Sequence, residues 1–134
     1  GGLGPMCGQA NHFLLYAPQM EPAQVLPYAQ ARYRREVARL LGILDRQLAQ
    51  HAHVAGKDYS IADMAIWPWA VHWERMQQTL EDKPNLARWL ERVGERPAVQ
   101  RGRALAEGCR RQGRMDPDAQ RILFGMGPDA PPRD

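Results

Sequence analysis

The sequence predicts an all-α fold, a helical bundle of about five helices followed by an extended C-terminal tail. Three observations carry this. From Leu26 to Leu48 the apolar residues recur at spacings of three and four, the period of one helix face. No stretch alternates β-branched and polar residues between turn signals, so nothing reads as a strand. Ser60 and Asp63 stand three apart directly before an aromatic-rich apolar run, which is the spacing of a helix capping box.

Taken in order, residues Gly1 to about Tyr16 read as the end of a helix whose beginning lies upstream, so the chain is expected to be part of a longer protein. The second helix places Ala29, Tyr33, Val37, Leu40, Leu41, Leu44 and Leu48 on one face, with Arg32, Arg34, Arg35, Arg39 and Arg46 mostly on the others. Pro22 and Pro27 suit its entry, where a missing N–H costs nothing, and the Gly56-Lys57-Asp58 turn follows its end near residues 51–55.

The third helix is expected from the Ser60 cap to about Gln78. In the box the hydroxyl accepts from the third helical N–H, the acid reaches back to the N–H of the cap, and Asp63 also complements the helix dipole. Tyr59 before the cap and Met64 at the fourth helical position have the spacing of a hydrophobic staple. Pro68 removes one backbone hydrogen bond and should kink the helix. Trp67 is expected in the core; Trp69 and Trp73, four apart beyond the kink, share a face and are pocket candidates. A fourth helix opens at Pro84 with Leu86, Trp89, Leu90 and Val93 inward and Gly94 at its end. A fifth opens at Pro97 with Val99, Leu105 and Cys109 as inward positions. From Gly113 the chain is rich in Gly, Pro and Asp and reads as a tail on which Ile122, Leu123 and Phe124 dock back. The division is therefore 1–112 for the helical domain and 113–134 for the tail.

Composition is that of an ordinary globular domain: 44% hydrophobic and 25% charged over 134 residues, enough for one core. No apolar run approaches a membrane span and no secretory signal pattern is present, so no membrane partner is expected. The net charge of +3 is spread along helices without an aromatic ladder or zinc spacing, which fits solvated helix faces rather than nucleic-acid binding. Cys7 and Cys109 form no pair or metal spacing and read as small buried or half-buried thiols in a reducing, cytoplasmic setting.

Chemistry-bearing motifs are few. Gly2-Leu3-Gly4-Pro5-Met6-Cys7-Gly8 fits neither dinucleotide nor phosphate-loop spacing, and close helix packing explains its small residues. His12, His51, His53 and His72 lack the companions of a metal site, so none is expected. No nucleophile elbow occurs. Arg32 is the remaining candidate. Read by itself it is a solvated surface residue, although a guanidinium is the group suited to holding a carboxylate bidentately.

The run Tyr59-Ser60-Ile61-Ala62-Asp63-Met64-Ala65-Ile66-Trp67-Pro68-Trp69 resembles the start of the sixth helix of glutathione transferases. Gly2-Leu3-Gly4-Pro5-Met6 with Gln9, His12 and Phe13, then Ala17-Pro18-Gln19, Pro27-Tyr28-Ala29 and Arg32-Tyr33, resembles the Nu-class bacterial members, also described as glutathione-dependent disulfide-bond oxidoreductases. Leu90-Glu91-Arg92-Val93 to Arg96-Pro97-Ala98-Val99 resembles their closing helices, so the likeness covers about residues 1–110.

The resemblance implies the helical C-terminal domain of a two-domain homodimeric enzyme. Its thioredoxin-like N-terminal domain, absent from this chain, would bind most of the glutathione and activate its thiol, so no catalytic residue is expected here. It implies glutathione as co-substrate, no metal, and a disulfide or small electrophile as second substrate. Arg32 matches the position whose arginine reaches glutathione across the dimer; Met6, Gln9, Phe13 and Trp69 match the pocket side. Leu14-Leu15 stands where the family has a polar pair, which would make the pocket rim more apolar. The alternative is a non-catalytic interaction module of the same fold.

Overall fold

The computed structural model describes residues 1–109 and 116–125. Among these residues six α-helices run in chain order: α1 Leu3–Asn11, α2 Pro27–Gln50, α3 Ile61–Ala70, α4 Pro84–Gly94, α5 Pro97–Gly108 and α6 Pro117–Phe124. Among the described residues there is no strand, only one antiparallel bridge between His53 and Gly56 in the α2–α3 turn. Gly56 has φ +133°, a conformation that glycine adopts without strain.

The core is where helix periodicity places it. α2 buries Val37, Leu41, Leu44 and Leu48, and α4 buries Leu86, Trp89, Leu90 and Val93. α1 adds Cys7 and Ala10, and α3 adds Trp67 and Ala70. The Trp67 indole donates to the Leu90 carbonyl at 2.9 Å, so this large ring is buried without an orphaned N–H. Four helices thus open on a proline at the first position, where the absent N–H has no intrahelical partner to lose.

α4 has no cap of its own from Lys83. Asp45 of α2 supplies it: Oδ1 accepts from the backbone N–H groups of Asn85 and Leu86, both at 2.9 Å. A carboxylate on the positive end of a helix is favourable twice over, through hydrogen bonding and through the dipole.

Several expectations are corrected. The third helix ends at Ala70, not near Gln78; after Pro68 the chain tightens into a 3-10 turn at Trp73–Met76 and closes on Gln77 in the left-handed region, φ 54°. A proline that removes a hydrogen bond two residues from the end weakens the last turn enough to stop it there. Trp73 therefore leaves the face of Trp69 and packs against the core. Met64 is 53% exposed, and Tyr59 is covered instead by Arg96, whose guanidinium lies 3.7 Å from the ring centroid.

α5 buries no residue. Val99 touches the core, but Leu105 is 75% exposed and Cys109 is exposed, because α5 meets the body mainly at its first turn. Within the tail, residues 117–124 are helical rather than extended. Asp116 caps them by accepting the Asp118 N–H at 3.1 Å, Pro117 opens them, and Gly125 closes them at φ 60°. Phe124 docks on His12 with centroids 4.9 Å apart, whereas Ile122 and Leu123 point away, 77% and 64% exposed. The rest of the expected tail, 113–115 and 126–134, lies outside the described residues.

Candidate functional site

The first turns of α2 face the middle of α1 across a cleft of about 450 Å3. Met6 contributes from α1. From α2 come Tyr28, Arg32, Arg35 and Arg39, spaced four, three and four, so they form one stripe along the helix. Tyr33 lines the inner side, and Phe13 stacks behind it with centroids 5.3 Å apart and planes within 5°. The floor is therefore apolar and aromatic while the mouth is cationic.

The charges are not evenly satisfied. Arg39 holds Glu36 bidentately, Nε to Oε2 at 2.8 Å and Nη2 to Oε1 at 2.7 Å. That hydrogen-bonded pair, with help from the charge of Arg32, keeps the Glu36 carboxyl below its ordinary value, and it raises that of Arg39. Arg34, one residue off the stripe, turns away and donates to Gln77 Oε1 at 3.0 Å. Among the described residues, no hydrogen bond or ion pair holds Arg32 or Arg35.

The Phe13 side of the cleft rests on an unusual backbone. Residues His12–Tyr16 form a π-helical segment continuing α1, and the Gln30 side chain donates to the Phe13 carbonyl at 3.0 Å. Wide turns of this kind occur disproportionately at functional sites. Leu14 packs against the core instead of standing at a rim, and neither Leu14 nor Leu15 lines the cleft.

Of the residues singled out in the sequence, Met6 and Arg32 come together in the cleft, and Phe13 supports it through Tyr33. Gln9 is exposed on α1 and does not line it. Trp69 is 39% exposed and lies on another side of α1, against Gly4 and Gly8: a Cβ built on Gly4 would stand 3.2 Å from the Trp69 Nε1. Ser60 and Asp63 form the α3 cap: the Ser60 hydroxyl accepts from Ala62 N–H at 3.2 Å, and Asp63 Oδ2 accepts from Ser60 N–H at 3.0 Å. Tyr28, Arg35, Glu36 and Arg39 are cleft residues that apolar periodicity passes over; their signal is the spacing of polar and aromatic residues on one stripe.

Elsewhere, a more apolar groove of about 530 Å3 runs between α3 and α5, past Met64, Trp67, Pro68, Val71, Val99 and Ala106. Among the described residues no three His, Cys, Asp or Glu side chains are placed to hold a metal ion, and no helix is long and apolar enough to cross a membrane. Burial pushes the Cys7 thiol up to about 11.

Residues 27–92, α2 through most of α4, match the family described as glutathione S-transferase, C-terminal domain. The chain belongs to that family. It is 44% identical over 105 residues to the disulfide-bond oxidoreductase YfcG of Escherichia coli K12, covering 78% of this chain and 46% of that protein. It is 44% identical over 112 residues to the disulfide-bond oxidoreductase YghU of the same organism, covering 78% of this chain and 37% of that one. A solved glutathione transferase family member from Pseudomonas fluorescens, with two glutathione bound, superposes with a TM-score of 0.65 at 34% identity, over 76% of this chain and 46% of that one. The glutathione S-transferase domain described here thus spans less than half the length of these relatives.

Proposed function

We propose that this domain forms a substrate-pocket wall and dimer contact of a glutathione-dependent enzyme that reduces disulfides or peroxides, or conjugates glutathione to electrophiles. The carrying observation is the cleft itself: an arginine with no internal partner at the mouth of an aromatic-floored recess. The names of the relatives, disulfide-bond oxidoreductases, support the same chemistry. Arg32 takes a carboxylate of glutathione across the homodimer. Met6 supplies apolar wall and Phe13 backs it through Tyr33, whereas Gln9 and Trp69 stand away from the cleft and take no part. A thioredoxin-like domain binds the rest of the tripeptide and lowers the pKa of its thiol by hydrogen bonding. The apolar groove between α3 and α5 supports the presence of a further covering element in the whole protein. Two unpaired cysteines suit a reducing cytoplasm.

In disulfide reduction a glutathione thiolate attacks one sulfur of the substrate and expels the other as a thiolate, which takes up a proton. A second glutathione thiolate then attacks the glutathione sulfur of the mixed disulfide, releasing the remaining substrate thiol and glutathione disulfide. Two thiols are oxidised and one disulfide is reduced, so the electrons balance. Arg32 contributes orientation and electrostatic stabilisation of the bound tripeptide.

Calorimetric titration of glutathione and its disulfide into the full-length protein, beside its Arg32→Ala variant, tests this. Binding should weaken by about 1.5–3 kcal/mol in the variant, the range for hydrogen bonds to charged groups. A full-length protein that binds neither compound refutes the enzyme and leaves the interaction-module alternative.

A further inference from the structure

We infer that Arg35 makes this cleft selective for an anionic second substrate, a disulfide or electrophile that carries a carboxylate of its own. The inference rests on the glutathione-dependent reading and goes beyond it, since Arg32 alone serves glutathione there. Three guanidinium groups and one carboxylate line the cleft. Glu36 takes two short hydrogen bonds from Arg39, and among the described residues it makes no hydrogen bond or ion pair with Arg32 or Arg35. Two cationic groups therefore remain for a ligand, Arg32 and Arg35.

Their placement separates their tasks. Arg32 and Arg35 are three residues apart on one helix face, so their stems start roughly 5–6 Å from each other and their forks reach different points of the recess. Two carboxylates on one small molecule, or one on glutathione and one on its reaction partner, satisfy both; a single carboxylate satisfies one. Tyr28, 75% exposed at the outer end of the stripe, and Met6 and Tyr33 inside give such a ligand an apolar body contact between the charges. A neutral substrate leaves Arg35 solvated and gains nothing from it. An acidic substrate gains a charge-assisted contact that a fixed planar fork makes more favourably than a lysine.

The test uses the full-length protein with glutathione and two disulfides of equal length, dithiodipropionate with two carboxylates and its neutral diamide. The expected result is a kcat/KM that favours the dianion, through KM, and that preference should shrink as ionic strength rises. Arg35→Gln should cut kcat/KM for the dianion about tenfold, the equivalent of one charged contact, and shift that for the diamide less than twofold; Arg35→Lys should restore most of the preference. Equal losses on both substrates would make Arg35 structural, and no change on either would make it a bystander; each overturns the inference and leaves the functional reading standing. Failure of the unsubstituted protein to turn over either disulfide defeats the disulfide-reducing reading, and this inference with it.

Discussion

Trp89 Nε1 donates to Asp63 Oδ1 at 2.8 Å, joining two fully buried side chains 26 residues apart in sequence. Asp63 is thus more than a helix cap. Its other oxygen takes the Ser60 N–H, and Oδ1 also accepts the Val54 N–H at 3.2 Å. One carboxylate fixes the start of α3, the His53–Gly56 turn that precedes it and the indole at the centre of α4.

Asp63→Ala should consequently destabilise the protein by about 3–5 kcal/mol, because it leaves the buried Trp89 indole N–H and two half-buried backbone N–H groups without acceptors. Asp63→Asn keeps the shape but turns one acceptor into a donor facing an N–H, and should cost less than the alanine change. Urea denaturation of the three proteins measures both. A loss below 1 kcal/mol for Asp63→Ala would show that water or a shifted backbone replaces the carboxylate.

The same residue sets an acid limit. Burial pushes the Asp63 carboxyl upward, but the Trp89 indole, the Ser60 and Val54 N–H groups and the charge of His53 outweigh it and hold it below the ordinary value. A carboxyl depressed on folding contributes stability that is complete above its unfolded value, near 3.9, and is lost as pH falls from there through the folded value. Below about pH 4, stability should therefore fall more steeply with acidification in the natural protein than in Asp63→Asn. Parallel curves would remove Asp63 from the acid transition.

How much of this is legible in the sequence depends on how local the signal is. The faces of α2 and α4 are read directly, since Leu41, Leu44, Leu48 and Leu86, Leu90, Val93 recur at helical spacing and are all buried. The capping pair is legible, but not the reach of Asp63 to Trp89, nor the cap that Asp45 supplies to Asn85 and Leu86 from 40 residues away. Both are tertiary contacts that no window of residues contains. α6 is missed for the opposite reason: its signals are local, Asp116, Pro117 and Gly125, but sit in a stretch whose overall composition reads as coil. In the cleft, Arg32 is reached only through resemblance. Arg35 and Arg39 emerge once Tyr28 is seen to share their stripe.

The two thiols should differ sharply in reactivity. Cys7 is inaccessible, and with its thiol pushed up to about 11 by burial it carries almost no thiolate near neutrality. Cys109 is exposed at the end of α5. At pH 7.5–8, about one thiol per chain should react promptly with an aromatic disulfide reagent, and Cys109→Ser should abolish that phase. Unfolding with guanidinium should then release the second thiol. Prompt reaction at Cys7 in the folded protein would contradict the packing of α1.

The two tryptophans of α3 predict opposite responses to one methyl group. A Cβ on Gly94 would stand 3.3 Å from Trp67, and a Cβ on Gly4 would stand 3.2 Å from Trp69, so the contacts are equally tight. The rings differ in what they can yield. Trp67 is 5% exposed and pinned by its bond to the Leu90 carbonyl, so Gly94→Ala forces that bond or α4 to shift. Overpacking of this kind costs about 1–3 kcal/mol, more than the roughly 1 kcal/mol of helix propensity that alanine returns. Trp69 is 39% exposed and free to swing outward, so Gly4→Ala should be neutral or mildly stabilising. Thermal unfolding of the two variants reads the difference: a lower Tm for Gly94→Ala alone fits the rigid ring, whereas equal shifts would mean that exposure at Trp69 confers no freedom to move.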